Sequence, residues 1–446
     1  MAYLPDEIVD MILIQLSLDD EPLMKKNKTL AALSRVSRQY HRIVESYLYT
    51  QLAIREKRAA ILLLRTLQSQ PRLGKYCTRL EARRSPLTDF STGNDDAPGP
   101  GNTMEIGPNM IPLYLPNLEY LDVSKVMHRL QHVNTGSTVL PWMHLMMPAG
   151  LMATRWPSNG DFKCLKRIDA DIHGVHIANL MDVFRLPAIE TLNFTRGTLA
   201  LPVDAGGADM DFYFDQWDFA NPSIKHLSLY GAKPALDLHT PVFLAYACHH
   251  LESLAIIGSK KYEYGAHLLR CMVMMFQHPI ANRLKSVQLY DERTRSHDHV
   301  NGPSFNHHVR QMAFLSPTTE WKVDFDIIDC LWYPPKRFFK IPPFLETLHI
   351  RSTSTMKPPS IQNFCAALED LSRMVELGSY KKLNKVVVEM QVHDRLVLAG
   401  WKRIRNTLAD AGVEFQVGKK KDCKLTLKKV AVTVRVGLRG LIGGSM

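Results

Sequence analysis

Four histidines in one short stretch are the side chains of this sequence best suited to chemistry. His297, His299, His307 and His308 lie within twelve residues, and Asp298 lies among them. Imidazole groups bind zinc and nickel ions, but neither a Cys pair nor a helical His-x-x-x-His accompanies them. We therefore interpret this stretch as a solvated loop, and the sequence predicts no metal and no other cofactor.

No signature of an enzyme is present in the rest of the chain. The Gly-x-Ser-x-Gly elbow, the His-Glu-x-x-His motif and the protein-kinase motifs are all missing. The glycine-rich residues 437–444 lack the Lys-Ser/Thr pair and the strand-to-helix context of a phosphate-binding loop. We interpret them as a flexible terminus and expect a binding protein that is not an enzyme.

The cysteines and the hydropathy pattern bear on the compartment. No two of the seven cysteines are closer than 23 residues, which excludes a disulfide framework and a Cys-x-x-Cys zinc pattern. No stretch reaches the ~18 apolar residues that a membrane helix requires. The first residues are acidic, where a secretory signal would be basic. We therefore expect no membrane span and a location in the cytoplasm and/or nucleus.

The net charge of +11 is concentrated at one end of the chain. Residues 418–446 contain eight basic residues and one acidic residue, so the body of the chain is nearly neutral. We interpret these residues as a basic, solvated and flexible tail. An alternative is that the tail attracts RNA or an anionic membrane, although nucleic acid is not the expected partner.

The pattern of residues 4–16 predicts an amphipathic helix. Pro5 suits the first helical position, and the acidic residues that follow it suit the positive end of the helix dipole. Ile8, Ile12 and Leu16 recur at intervals of four residues, as one apolar face of a helix requires.

Two further short helices are predicted before residue 50. Thr29 is expected to cap the second and Ser37 the third, whose apolar stripe includes Tyr40 and Ile43. Three short helices form a thin core. Apolar surface that remains on such a module indicates a partner.

These helices resemble a known adaptor-binding module. Its residues read Leu4-Pro5-x-Glu7-Ile8-x-x-x-Ile12-Leu13-x-x-Leu16, then Leu33-x-x-Val36-Ser37-Arg38-x-Tyr40-x-Arg42-Ile43, then Tyr47-Leu48-Tyr49. This pattern resembles the F-box, a three-helix module that docks onto the Skp adaptor of Skp–cullin–F-box (SCF) ubiquitin ligases. The adaptor contacts that the resemblance implies are Leu4, Pro5, Ile8, Ile12, Val36 and Tyr40. The sequence departs from the F-box pattern in a longer stretch between Leu16 and Leu30, and in Tyr40, where the family usually has Trp.

A recurring phrase organises the rest of the chain. The phrase is apolar-x-x-apolar-x-apolar, and copies begin at residues 77, 118, 165, 189, 224, 251, 284, 345 and 383. Its last four residues alternate as a short strand does, which predicts parallel strands stacked in a leucine-rich-repeat-like arc. From residue 118 onward the intervals range from 24 to 61 residues, and regular repeats hold 20–29. The arc is therefore expected to be irregular, with large insertions.

Helices, a closing strand and loops are expected between and after the strands. The predicted helices are residues 54–68, 175–184, 266–278, 360–377 and 393–411, and the predicted closing strand is 413–417. The predicted loops are residues 85–109, 206–218 and 293–304.

The predicted fold is an α+β or α/β solenoid, with a three-helix F-box followed by an irregular arc of short parallel strands and intervening helices. The predicted domains are residues 1–50 (F-box), 51–75 (linker helix), 76–417 (target-binding arc) and 418–446 (tail).

The predicted function is that of a substrate-recognition subunit of an SCF ubiquitin ligase. The expected partners are the Skp adaptor, through it a cullin–RING ligase, and an unknown target protein. Trp217, in an acidic and aromatic loop, and Tyr230 are the candidate target contacts. The alternative is a repeat scaffold for protein–protein interaction outside any ubiquitin ligase, with a vestigial F-box.

Overall fold

A computed structural model describes the two ends of the arc and the strands between them. The described residues are 4–18, 23–83, 111–112, 114–125, 162–172, 181–184, 186–195, 223–232, 248, 250–258, 283–290, 317–324, 341–351, 358–390 and 398–419. Within these ranges, no helix is both long enough and apolar enough to cross a membrane.

One parallel sheet extends through the described residues. Its strands are β1 (Gln51–Ile54), β2 (Arg79–Arg83), β3 (Tyr120–Lys125), β4 (Arg167–Asp171), β5 (Thr191–Thr195), β6 (His226–Ala232), β7 (Ser253–Gly258), β8 (Ser286–Tyr290), β9 (Glu320–Asp324), β10 (Thr347–Arg351), β11 (Lys385–Met390) and β12 (Glu414–Lys419). The order in the sheet is the order in the chain. This topology is consistent with the predicted α/β solenoid-like arc.

Helices precede the sheet and lie between its strands. They are α1 (Asp6–Leu18), α2 (Leu23–Leu33), α3 (Arg38–Thr50), α4 (Lys57–Ser69), α5 (Met181–Phe184), α6 (Pro358–Glu376) and α7 (Leu398–Asp410), with a 3-10 helix at Pro71–Tyr76. The helices predicted near residues 54–68, 360–377 and 393–411 and the closing strand are confirmed. The helix predicted at 266–278 and the three predicted loops lie outside the described residues, as do the clustered histidines.

The phrase produces each strand in the same way. Every strand that it predicted begins two residues after the first apolar residue of the phrase, as Tyr120 follows Leu118. The fourth and sixth residues, Leu121 and Val123 in β3, then point into the core and are buried. Register partners on neighbouring strands occupy the same phrase position, so the buried side chains form two continuous rows.

A short turn precedes these strands. The amide of Leu118 donates to the carbonyl of Leu115 at 3.1 Å, and the amide of Leu165 donates to the carbonyl of Phe162 at 3.1 Å. Leu118 and Leu165 are both buried. The first apolar residue of the phrase therefore anchors the end of a turn, which explains its separation from the alternating residues.

A line of shared carbonyls joins the strands at their starts. The carbonyl of Thr78 accepts from the amides of Glu119 and Tyr120, at 2.9 and 3.0 Å. The same double acceptance recurs at Glu119, Lys166, Glu190, Lys225, Glu252, Lys285, Thr319 and Glu346. We call these nine second-position carbonyls the carbonyl rail. The rail satisfies two amides of each successive strand and sets the position at which that strand begins.

The side chains on the rail alternate in charge. Glu119 pairs with Lys166 at 3.3 Å, Glu190 with Lys225 at 3.4 Å, and Glu252 with Lys285 at 2.9 Å. These six residues occupy consecutive positions of the rail. The pairs are partly exposed, and each contributes little to stability by itself.

The sequence did not predict β9, because a threonine replaces the first apolar residue of the phrase. Thr318 is buried and its hydroxyl donates to the carbonyl of Leu284 at 2.9 Å. Trp321 and Val323 then fill the two inward positions. This strand divides the 61-residue interval between phrases into intervals of 34 and 27 residues.

The strand β1 was also not predicted, although it fits the phrase. Leu52 and Ile54 are buried at the two inward positions, and Tyr49 stands at the first position and packs against the core. Residues 51–54, within the segment predicted as a linker helix, are therefore the first strand of the sheet.

The two predicted helix caps have different outcomes. Ser37 is confirmed as the cap of α3, because its side chain accepts from the amide of Tyr40 at 3.2 Å. The prediction for Thr29 is wrong, because α2 begins at Leu23. Thr29 lies inside that helix, where its hydroxyl donates to the carbonyl of Lys25 at 3.2 Å.

We predict that Gly74→Ala destabilises the start of the arc. A methyl group at Gly74 would lie 1.8 Å from the carbonyl oxygen of Tyr114, so one of the two backbone segments must move. Overpacking of this kind costs about 1–3 kcal/mol, which thermal unfolding would report as a lower midpoint. Lys75→Ala is the control, because Lys75 is exposed on the same 3-10 helix. Equal midpoints for both variants would contradict the close contact.

Candidate functional site

The three N-terminal helices bury a small core of their own. Val9 and Leu13 of α1 pack with Leu30 of α2 and Val44 of α3. This core is separate from the one that follows the sheet. Val9 and Leu13 lie one turn apart on α1, so one face of the helix packs into this small core. The helix has further apolar side chains outside that face.

Polar contacts hold α1 against α3. The carboxylate of Asp6 accepts from the side chains of Gln39 and Arg42. One turn further along, the hydroxyl of Tyr47 donates to Asp10 at 2.6 Å. Burial, followed by that hydrogen bond, raises the pKa of Tyr47 to about 12. These contacts hold the start of α1 against α3. They therefore fix the orientation of the side chains on the outward face of α1.

The outward side of this module carries a strip of large apolar side chains. Leu4, Ile8, Met11, Ile12 and Val36 are 42–65% exposed. The side-chain amide of Gln39 donates to the carbonyl of Leu4 at 3.4 Å, which places Leu4 near the start of α3 and the turn that contains Val36. We call these five residues the exposed strip. Single exposed apolar residues are ordinary, but a group on one small module indicates a binding surface.

The exposed strip contains four of the six predicted adaptor contacts. A fifth, Pro5, is exposed next to Leu4. Tyr40 is instead half-buried and packs against the small core of the module. Met11 was not predicted, although it lies three residues from Ile8 and one from Ile12 on the same helix.

No spacer separates this module from the sheet. Helix α3 ends at Thr50 and β1 begins at Gln51. The side-chain amide of Asn27 donates to the carbonyl of Gln51 at 3.2 Å, and Arg72 pairs with Glu45 at 3.1 Å. The exposed strip is therefore held at a defined position relative to the first strands of the arc.

The other face of the sheet carries the third, fifth and seventh residues of each phrase. Tyr230, a predicted target contact, occupies the seventh position on β6 and is half-buried. Burial is the largest influence on its pKa and raises it. Trp217, the other predicted target contact, lies outside the described residues.

Four polar side chains stand side by side at the fifth position of successive strands. The register pairs Glu81 with Asp122, Asp122 with Asp169, and Asp169 with Asn193. All four are buried. We call this group the polar row. Like charges in adjacent strand positions repel each other, so the row requires compensating groups.

Hydrogen bonds that offset this repulsion converge on Asp169. Its carboxylate accepts from the Tyr120 hydroxyl at 2.6 Å, from Arg167 Nε at 2.9 Å, and from Asn193 Nδ2 at 2.6 Å. Donors from three strands therefore converge on a side chain that is 3% exposed. Such hydrogen bonds offset the cost of burying a polar side chain.

Two arginines flank the ring of Tyr120. The guanidinium carbons of Arg79 and Arg167 lie 4.5 and 5.0 Å from its centroid. Arg79 also donates to Glu81 at 2.6 Å. Burial is the main cause that raises the pKa of Tyr120, and the charge of Asp169 adds to it. The phenol therefore stays protonated and serves as a donor.

Asp122 is the least compensated member of the polar row. Its carboxylate accepts from the amide and hydroxyl of Ser124, at 3.0 and 2.6 Å. Burial nevertheless raises its pKa, with smaller contributions from the charges of Asp169 and Glu81, against the lowering effect of Ser124.

A second group of polar side chains lies near the other end of this face. The guanidinium carbon of Arg351 lies 3.9 Å from the ring centroid of Tyr290, whose hydroxyl is 3.4 Å from Nδ1 of His349. His349 Nε2 is 3.4 Å from the carboxylate of Glu389. These residues lie on β8, β10 and β11, so the face is polar and aromatic at both ends.

The polar row was not predicted from the sequence. Its four members can be recognised in the sequence as the fifth residues of four successive phrases: Glu81, Asp122, Asp169 and Asn193. Their proximity depends on the register, which a single phrase does not reveal. Within the described ranges, no group of His, Cys, Asp and Glu side chains is arranged to hold a metal ion.

We predict that Asp169→Ala strongly destabilises the arc. The change leaves Arg167, Tyr120 and Asn193 without their common acceptor, and breaking a buried pair in this way costs about 3–5 kcal/mol. Chemical denaturation followed by circular dichroism would measure the loss. Glu252→Ala is the control, because it removes a partly exposed ion pair worth about 1 kcal/mol or less. Similar losses in both variants would show that the polar row does not stabilise the sheet.

A different outcome is expected for Asp122→Asn. Because the pKa of Asp122 is raised, the folded state binds its proton more tightly than the unfolded state. Its contribution to stability is therefore present at low pH and lost as the pH rises through the folded-state pKa. The variant should be more stable than the wild type at about pH 8, and the difference should shrink towards about pH 5. Thermal midpoints across this range test it, and a less stable variant at about pH 8 would contradict it.

No protein-family model matches this chain, and no curated protein matches it. Its function must therefore be inferred from the exposed strip, the defined junction with the sheet, and the polar face of the arc.

Proposed function

We propose that this protein is a substrate-recognition subunit of an SCF-type ubiquitin ligase. It binds the Skp adaptor through the N-terminal helices and a target protein through the arc. The observation that carries the proposal is the exposed strip, because it contains Leu4, Ile8, Ile12 and Val36 at the positions where the F-box pattern implies adaptor contacts. Pro5, next to Leu4, completes the apolar start of the strip.

The exposed strip supplies part of the free energy that a specific complex requires. Complete burial of one such side chain contributes about 1.5–3 kcal/mol, and these five are roughly half-exposed. Covering them contributes on the order of 5 kcal/mol before the costs of association. The Asp6 and Asp10 contacts with α3 hold α1 in place beforehand, which lowers the entropy that binding must overcome.

The junction between α3 and β1 suits the role of a ligase subunit. Ubiquitin transfer depends on holding a target lysine near the loaded conjugating enzyme, and a defined geometry increases the rate of such a reaction. Since α3 leads into β1 with no spacer, a target on the arc is held at a fixed distance from the adaptor. The protein itself contributes no nucleophile in this proposal.

The arc is proposed to hold the target. Tyr230 lies on the polar face of the sheet and remains the described candidate for a target contact, together with Trp217 outside the described residues. The polar row and the group around Arg351 give that face hydrogen-bonding and aromatic groups at both ends. Ubiquitin-dependent degradation of the bound protein is the proposed outcome.

Capture of a Skp adaptor tests the proposal. The full chain is co-expressed with the adaptor beside the variant Ile8→Asp/Ile12→Asp, which places two charges on the exposed strip without touching the buried Val9 and Leu13. Each buried charge should cost several kcal/mol at the interface, so capture by this variant should fall by about 100-fold or more. Leu62→Asp is the control, because it places a charge at an exposed leucine of α4, away from the exposed strip.

Two results would count against the proposal. If the folded wild type captures no adaptor, the ligase function fails and the chain is a repeat scaffold for protein–protein interaction. If Ile8→Asp/Ile12→Asp captures the adaptor as well as Leu62→Asp does, the exposed strip is not the adaptor-binding surface.

A further inference from the structure

A cavity lies inside the N-terminal module. It has a volume of about 180 Å³ and is lined by side chains of α1, α2 and α3 and by Gln51 at the start of β1. Every residue that lines it belongs to the described part of the chain. Its wall includes the buried Leu13 of α1, so the cavity lies on the inner side of that helix. The exposed strip lies on the outer side.

Leucine side chains form the apolar part of the wall. They are Leu13, Leu16, Leu23 and Leu30. Leu13 and Leu30 belong to the small core of the module and are buried, whereas Leu16 and Leu23 are partly exposed. The apolar wall therefore continues from the core towards solvent, and a small molecule can reach it without crossing the core.

The hydroxyl groups of the wall already donate to other groups. The hydroxyls of Thr29 and Thr50 donate to backbone carbonyls of their own helices, at 3.2 and 2.7 Å. The hydroxyl of Tyr47 donates to Asp10 at 2.6 Å. A water molecule in a cavity requires two to four polar partners, and apolar cavities bind apolar molecules instead. Because these three hydroxyl protons are used elsewhere, the cavity favours an apolar occupant over ordered water.

Hydrogen bonds also fix the positions of the walls. The bond from Tyr47 to Asp10 joins α3 to α1. The side-chain amide of Asn27, which lines the cavity, donates to the carbonyl of Gln51 at 3.2 Å and so joins α2 to β1. Collapse of the cavity would require these helices to shift and the bonds to break. A preformed site of this kind lowers the entropy that a ligand must overcome on binding.

We propose that this cavity is a binding site for a small apolar molecule, of the size of one aromatic ring with a short alkyl substituent. A cavity of about 150 Å³ lined by apolar side chains accommodates benzene, so the present volume suits a slightly larger molecule. The ligand would pack against the four leucines and stabilise a module whose own core is thin. The proposal is independent of adaptor binding.

Titration of the full chain with toluene tests the site. Methyl groups of the leucines are labelled with carbon-13 and followed by nuclear magnetic resonance. The signals of Leu13, Leu16, Leu23 and Leu30 should shift and reach saturation, because each of these side chains lines the cavity. The signal of Leu62, exposed on α4, should not follow that curve. Shifts at the four leucines that grow linearly without saturation, or no shifts at all, would overturn the proposal.

A variant that fills the cavity tests its location. Leu16→Trp places an indole ring at the partly exposed part of the wall and should weaken toluene binding by about tenfold or more, because the ring takes up space that the ligand needs. Leu62→Trp makes the same chemical change on α4, away from the cavity, and should bind toluene as the wild type does.

Equal affinities of the wild type and a folded Leu16→Trp variant would place the toluene elsewhere and overturn the assignment of the cavity. Circular dichroism checks that both variants fold. If Leu16→Trp does not fold, the titration of the wild type decides the proposal by itself, because saturation must occur at the four leucines of the wall.

Discussion

The carbonyl rail is the interaction on which the rest of the structure depends. Each of its carbonyls accepts two amides from the start of the next strand, as Thr78 does for Glu119 and Tyr120. Parallel strands require their backbone groups to be paired by a neighbour along the whole strand. Because the rail sets where β3 to β11 begin, the register of these strands is independent of the length of the connection. This explains how the phrase intervals can vary from 24 to 47 residues within a single uninterrupted sheet.

The polar row is a consequence of that fixed register. Once the strands begin in line, Glu81, Asp122 and Asp169 must lie next to one another, whatever the cost of placing like charges side by side. The neighbouring positions offset part of this cost, since Arg79 and Arg167 neutralise charge and Tyr120 donates to Asp169. The arrangement is most sensitive to a change at Asp169, because its removal would leave Tyr120, Arg167 and Asn193 without their common acceptor.

Local patterns in the sequence predicted which segments form helices and strands better than they predicted which side chains contact one another. The phrase identified β2 to β8, β10 and β11, whereas β1 was not predicted although it fits the phrase. It failed at β9, where Thr318 replaces the first apolar residue and its hydroxyl donates to the carbonyl of Leu284. The helix periodicity of residues 4–16 was correct. It did not reveal which apolar side chains would be buried, because Val9 and Leu13 face the small core while Ile8 and Ile12 face outward. The polar row was missed because its members are brought together by pairing between strands, which a local pattern does not contain.

The alternating charges on the rail have a consequence for how the chain folds. In sequential pairing, Glu119 meets Lys166 and Glu190 meets Lys225. If a strand were skipped during folding, Glu119 would meet Glu190, or Lys166 would meet Lys225, and the like charges would repel each other. Every strand presents a similar apolar pair to its neighbours, so burial alone discriminates poorly among them. We therefore expect the alternating charges to favour the correct order of strands over an order that omits one, by a small free energy at each pair.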